Sequence, residues 1–160
     1  MEEKPTLYLE TSVISYYTAK DSNDPIVRGR QEVTRQWWNN HRGEFEIFIT
    51  RFVLAEIQRG DPNAVLNRLD MIDGIESIKV GENVYDLADR LVQTGTALPA
   101  KARVDALHIS AASIEGFDYL LTWNCTHIAN AVLLPQVKKI VEAMGYVLPY
   151  ICTPDQLLGV

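Results

Sequence analysis

Short apolar runs alternate with amphipathic stretches along the whole chain. Residues 6–10 (TLYLE) form a buried strand in this pattern, stopping abruptly at Glu10, and Thr11 or Ser12 caps a short helix through 13–19. Asp24-Pro25 opens a second helix, with Asp24 as N-cap and Pro25 at its first position. The apolar residues of that helix, Ile26, Val33, Trp37 and Trp38, recur at roughly helical spacing. A second strand fits 45–49 (FEIFI), followed by a helix over 51–59 that closes at Gly60. Another short helix over 62–72 follows Asp61-Pro62, and a third strand fits 75–80. The spacing predicts helices over 82–95 and 100–115, then a strongly apolar strand at 117–122 (FDYLLT). A short helix near 126–132 and a longer one at 135–144, ended by Gly145, complete the helical set. Residues 146–151 (YVLPYI) fit a last strand, which Pro149 assigns to a sheet edge. Strands separated by helices imply βαβ units. The expectation is a single three-layer α/β/α domain over 1–160, with a mainly parallel sheet of about five strands covered on both faces.

Composition narrows the picture only a little. At 160 residues, 47% hydrophobic and 22% charged, the chain fits one globular domain with a sizeable core. No apolar run reaches the roughly 20 residues of a membrane helix, and the start MEEKPTLYLE lacks the features of a secretion signal. These features point to a cytoplasmic protein away from membranes. The two cysteines, Cys125 and Cys152, are too few for a structural zinc site, and Cys125-x-His127 offers two ligands where a site needs more. The net charge of −6 argues against sequence-independent coating of nucleic acid but not against a nuclease, whose metal itself supplies positive charge.

In open α/β sheets, sites form beyond the C-terminal strand ends where strand order reverses. Two strand ends carry polar groups directly: Glu10-Thr11-Ser12 and Thr122-Trp123-Asn124. Glu56 lies on the apolar stripe of its helix, four residues after Phe52, so its carboxylate needs a partner or a cation. Asp105 falls early in a helix whose inner face is lined by small residues; His108, one turn on, fits a satisfied core histidine. Taken together these acids form a constellation of hard oxygen donors suited to Mg²⁺ or Mn²⁺.

The order of these segments resembles the PIN-domain family, over residues 6 to about 150. YLETSVISYY matches its opening motif, with Glu10 where aspartate is usual. RFVLAEIQRG matches the helix carrying the second acid, Glu56, and ARVDALHISAAS the third, Asp105. DYLLTWNCTHIAN matches the fourth-strand segment, with Asn124 where aspartate is commoner. The match is nearest to the bacterial and archaeal branch that includes toxins of toxin–antitoxin pairs. The resemblance implies a metal-dependent ribonuclease, often a homodimer, restrained by a small antitoxin protein. Glu10, Glu56 and Asp105 would then hold Mg²⁺ or Mn²⁺, with Asn124 orienting a water or the RNA substrate. Ser12 and Thr122 would support the ligands, and Lys101 and Arg103 would contact flanking phosphates. Asn124 removes one negative charge while keeping an acceptor oxygen, which motivates a rival expectation: a PIN module that binds RNA or a protein without cutting. A nucleotide- or phosphate-binding α/β domain is disfavoured, because the turn after the first strand is ETSV and not a glycine-rich loop. The pairs Tyr16-Tyr17 and Trp37-Trp38 carry more aromatic surface than one helix face can bury, which suggests a dimer or antitoxin interface, although ordinary packing of most of these rings is the favoured expectation.

Overall fold

The run Leu7-Tyr8-Leu9 is fully buried, so β1 (Thr6–Leu9) must have neighbours on both edges and both faces. A computed structural model, which describes residues 2–93 and 97–159, supplies them. Thereafter come α1 (Thr11–Thr18), α2 (Pro25–His41), β2 (Glu46–Thr50), α3 (Arg51–Ile57) and α4 (Pro62–Met71). The rest of the chain forms β3 (Glu76–Ile78), α5 (Glu82–Val92), α6 (Arg103–Ile114), β4 (Tyr119–Leu121), α7 (Leu134–Ala143) and β5 (Tyr150–Cys152). Among the described residues the sheet has five strands in the order β3-β2-β1-β4-β5, every pair parallel.

The order of the strands fixes the layers. From β1 the chain steps outward to β2 and β3, then returns past β1 to β4 and β5. Right-handed crossovers in opposite directions put their helices on opposite faces. Accordingly α1, α2, α3 and α4 pack among themselves, as do α5, α6 and α7. The reversal falls between β1 and β4, so the C-terminal ends of those two strands open onto the crevice where α/β sheets carry their sites. At the opposite end, Asp118 Oδ2 accepts from Thr6 N at 2.8 Å and Thr6 Oγ1 at 3.0 Å, pinning the β1–β4 register of Leu7 opposite Tyr119.

Local signals explain most element boundaries. Asp24 Oδ1 accepts from Ile26 N at 2.9 Å, and Asp61 Oδ2 from Ala64 N at 3.0 Å, each capping a helix with proline in its first turn. Gly60 (φ 94°) and Gly145 (φ 89°) take the left-handed conformation that ends a helix. Four expectations need correction. The cap of α1 is Glu10 and not Thr11 or Ser12, because its longer side chain folds back to accept from Ser12 N at 3.0 Å. Residues 126–132 are a series of turns and not a helix: Asn124 caps a first turn, but the next amide, Ala129 N, returns to Asn124 O at 2.8 Å instead of moving on to the Cys125 carbonyl, so no helix propagates. The last strand is confined to Tyr150–Cys152, beyond Pro149, whose ring nitrogen has no hydrogen to offer a ladder. Residues 100–102 form a 3-10 turn, so the helix proper starts at Arg103. The final positions of the helix expected over 82–95 lie outside the described residues.

The tryptophan pair is in the core, the favoured of its two expectations, and offers no face to an interface. Trp37 and Trp38 are 0% and 3% exposed, Trp37 packing against Phe45 and Trp38 against Tyr17 within the same chain. Ile26, expected on the same buried stripe, is 71% exposed. Among the described residues no helix is long and apolar enough to cross a membrane. The contrast between buried and exposed apolar side chains is directly measurable. Leu87→Ala, at a fully buried position of α5, should destabilise the fold by about 2–5 kcal/mol in urea unfolding. Ile26→Ala should stay within about 0.5 kcal/mol of the parent; a large loss there would mean that α2 docks differently.

Candidate functional site

Glu10 ends the central strand, and its amide donates to Leu121 O at 3.1 Å, so its side chain leaves at the β1–β4 boundary. The carboxylate is 4% exposed. Ser12 Oγ and Thr122 Oγ1 each donate to Oε1 at 2.5 Å, and Ser12 N donates to Oε2 at 3.0 Å. Both hydroxyls also accept from the backbone: Ser12 Oγ from Trp123 N at 2.7 Å and Thr122 Oγ1 from Asn124 N at 2.9 Å. Ser12 and Thr122 therefore meet on the same Glu10 oxygen. Each hydroxyl points its proton at Glu10 and its lone pair at the segment following β4.

Glu56 reaches the same edge from α3. Its Oε1 accepts from Thr11 Oγ1 at 2.8 Å and from His108 Nε2 at 2.5 Å, while Oε2 has no hydrogen-bond partner among the described residues. His108 is fully buried, and its Nδ1 lies 2.6 Å from the Tyr8 hydroxyl, itself 2.8 Å from Thr50 Oγ1. A carboxylate can only accept, which places a proton on His108 Nε2; in the neutral ring Nδ1 then accepts from Tyr8. Burial pushes the Tyr8 phenol well above its ordinary range despite the Thr50 contact, and the charges of Glu10 and Glu56 add to the rise, so it stays a neutral donor. Burial also raises Glu56, but His108 and then Thr11 outweigh it and hold its carboxyl below the usual carboxylate range.

Asp105, in the first turn of α6, meets a different histidine. Its Oδ2 lies 2.9 Å from His127 Nδ1, with about a fifth of each side chain exposed. Asn124 holds this histidine from behind, its Oδ1 accepting from His127 N at 3.0 Å. Asp105 and His108 are one helical turn apart on the same face of α6, so the two carboxylate–imidazole pairs are neighbours.

One ligand atom from each of Glu10, Glu56 and His108 falls within 4.8 Å of the others. The structure thus brings together two of the three expected metal ligands and sets Asp105 against His127. Lys101 is exposed in the turn before α6, and Arg103 pairs with Asp89 at 3.1 Å while lying over the Tyr85 ring. Sequence reasoning did not assign Tyr8, Thr11, His108 or His127 to the site. His108 is the satisfied buried histidine expected, yet one of its partners is a site carboxylate.

No family model matches the sequence, and neither does any curated protein. Among solved structures, the chain is similar to one in the crystal structure of VapBC2 from Rickettsia felis bound to a DNA fragment from their promoter. The TM-score is 0.51 at 19% identity, covering 92% of this chain and 98% of the other. The fold is PIN-like. An identity that low speaks for architecture alone, and the chemistry has to be argued from the side chains.

The buried relay is open to test. Tyr8→Phe removes the one oxygen shared by Thr50 and His108 Nδ1 with almost no change in volume. It should destabilise the protein by about 1–3 kcal/mol in denaturant titration, the cost of leaving buried polar groups unpartnered. Unchanged stability would show that the relay contributes nothing to the fold.

Proposed function

We propose that this protein is a metal-dependent ribonuclease, hydrolysing RNA phosphodiester bonds as the toxin member of a toxin–antitoxin pair. One observation carries the reading. Two carboxylates converge at the switch point of a PIN-like sheet with no lysine or arginine paired to either among the described residues, and one oxygen of Glu56 faces no partner. Like charges this close favour a cation between them, and carboxylate oxygens suit a hard one such as Mg²⁺ or Mn²⁺. The donors present fit it. Glu56 Oε2 is uncommitted and Glu10 Oε2 accepts a single hydrogen bond, so both carboxylates have lone pairs to offer.

Glu10 and Glu56 would hold the ion, which supplies a more acidic bound water and positive charge facing the scissile phosphate. The chain's own groups do the rest. Ser12 and Thr122 keep the Glu10 carboxylate from rotating, and Thr11 and His108 do the same for Glu56. Lys101, exposed in the turn before α6, would meet a flanking phosphate. A small antitoxin protein is the proposed partner, supported by the sequence motifs and by a neighbour solved as the VapBC2 complex. The homodimer implied by the resemblance gets no support from the tryptophans, which are buried within the chain.

A second reading, binding without cleavage, draws on the fourth position. Asn124 brings no charge, and its oxygen is taken by a backbone amide. Calorimetric titration with Mn²⁺, followed by incubation with a mixed RNA pool, separates the two. Saturable Mn²⁺ binding is expected, with cleavage that stops when the metal is removed with EDTA. Glu56→Gln should keep the fold while weakening Mn²⁺ by at least about tenfold and abolishing cleavage. A folded wild type that neither binds Mn²⁺ nor cuts RNA would leave the non-cleaving module as the better description.

A further inference from the structure

The three histidines differ in where they stand in the fold and in how their ring nitrogens are engaged. His41, through Nδ1, lies against Glu44 in the connection from α2 to β2, at the N-terminal edge of the sheet and so away from the acid centre, and His108 has both ring nitrogens engaged in the core. His127 is different. Asp105 can only accept, so the proton between them sits on Nδ1, and Nε2 on the far side of the ring carries a lone pair. Nε2 has no partner among the described residues, and the ring is 19% exposed.

Two links fix this imidazole beside the acid centre. The first runs through α6: Asp105 stands one turn from His108, which donates to Glu56. The second runs through the segment after β4. Asn124 N donates to Thr122 Oγ1, whose proton is on Glu10, and the Asn124 side chain then fixes the His127 backbone. An imidazole oriented through one nitrogen by a carboxylate, with the other turned toward open space, is the arrangement of a proton-transfer group.

We infer that His127 is a catalytic residue which moves the proton during phosphodiester hydrolysis, with Asp105 and Asn124 as its positioning residues. The inference rests on the hydrolysis proposed above and reassigns Asp105 from the metal to the imidazole. In the step, a water O–H bond breaks and the proton passes to His127 Nε2. The water oxygen's electron pair forms the new P–O bond, and the P–O bond to the leaving ribose oxygen breaks with its pair on that oxygen. The leaving oxygen is then protonated from His127 Nε2 or solvent, so the products are an alcohol and a phosphate monoester. In this arrangement Asn124 is a neutral cap that an aspartate could replace only by adding a fourth carboxylate.

Single-turnover cleavage of an RNA pool, paired with Mn²⁺ calorimetry, tests the assignment on wild type, His127→Ala, His127→Asn and Asp105→Asn. Both His127 variants should lose about 10²–10⁴-fold in cleavage rate with unchanged Mn²⁺ affinity and unchanged KM. His127→Asn can still donate to Asp105, which guards against simple misfolding, and free imidazole should restore part of the His127→Ala loss. Asp105→Asn should bind Mn²⁺ like the wild type and slow the rate. In ¹⁵N–¹H spectra, wild-type His127 should show its proton on Nδ1, and Asp105→Asn should lose that preference. Wild-type rates in His127→Asn, or lost Mn²⁺ binding in Asp105→Asn, would overturn the inference and leave the hydrolysis reading standing. A wild type that binds Mn²⁺ but cleaves nothing would overturn both.

Discussion

Glu10 is a carboxylate almost wholly withdrawn from water at the end of the central strand, and much of the surrounding architecture follows from keeping it there. An ionised group in such a place costs several kcal/mol unless it is met by hydrogen bonds or opposite charge. Three donors meet it, and they come from α1 and from the residue just after β4. The carboxylate thus welds together the two strand ends that flank the reversal of the sheet. The hydroxyls that satisfy it also capture the amides of Trp123 and Asn124, so the path of the chain beyond β4 is set by the same residue. A site at this position does not decorate a finished fold. It is part of what closes the fold at its C-terminal edge.

The second organising element is α6, which serves both carboxylate–imidazole pairs with opposite polarity. It gives the histidine to Glu56 and the acid to His127. The two imidazoles differ because their outer nitrogens face different media. Nδ1 of His108 faces a buried tyrosine and is sealed by it, whereas Nε2 of His127 faces no protein group among those described. One histidine therefore braces a carboxylate, and the other is braced by one. Tyr8, a strand residue whose neighbours Leu7 and Leu9 are simple core, provides the seal from beneath the sheet edge.

How much of this was legible in the chain depends on how local each signal is. Alternation of apolar runs, the Asp-Pro starts at 24 and 61, and glycines at 60 and 145 report on a few adjacent residues, and they located the elements well. Glu10, Glu56 and Asp105 stood out because a carboxylate on a buried strand end or helix stripe conflicts with its surroundings. The pairings did not stand out. Glu56 and His108 are 52 residues apart, and Asp105 and His127 are 22 apart, so the partner of each acid is decided by how α3, α6 and the turns after β4 are brought together. His108 looked like core because it is core. Ile26 failed for a related reason, since it sits in the exposed first turn of α2 and helical spacing alone does not say where along a helix contact begins.

Asn124 shows what a neutral amide contributes to the turns after β4. An aspartate there would add a carboxylate to the turn that carries His127, the partner of Asp105, and each further negative charge nearby raises the cost of ionising the others. The amide avoids that repulsion, and its oxygen still accepts from a backbone amide as an aspartate oxygen would. What the substitution removes is a direct claim on a cation. What it retains is the turn that delivers His127 to Asp105, and that delivery depends on the oxygen and not on the charge. Asn124 and the imidazole three residues later are thus two parts of one arrangement, in which the amide oxygen fixes the His127 backbone and the ring lies against Asp105.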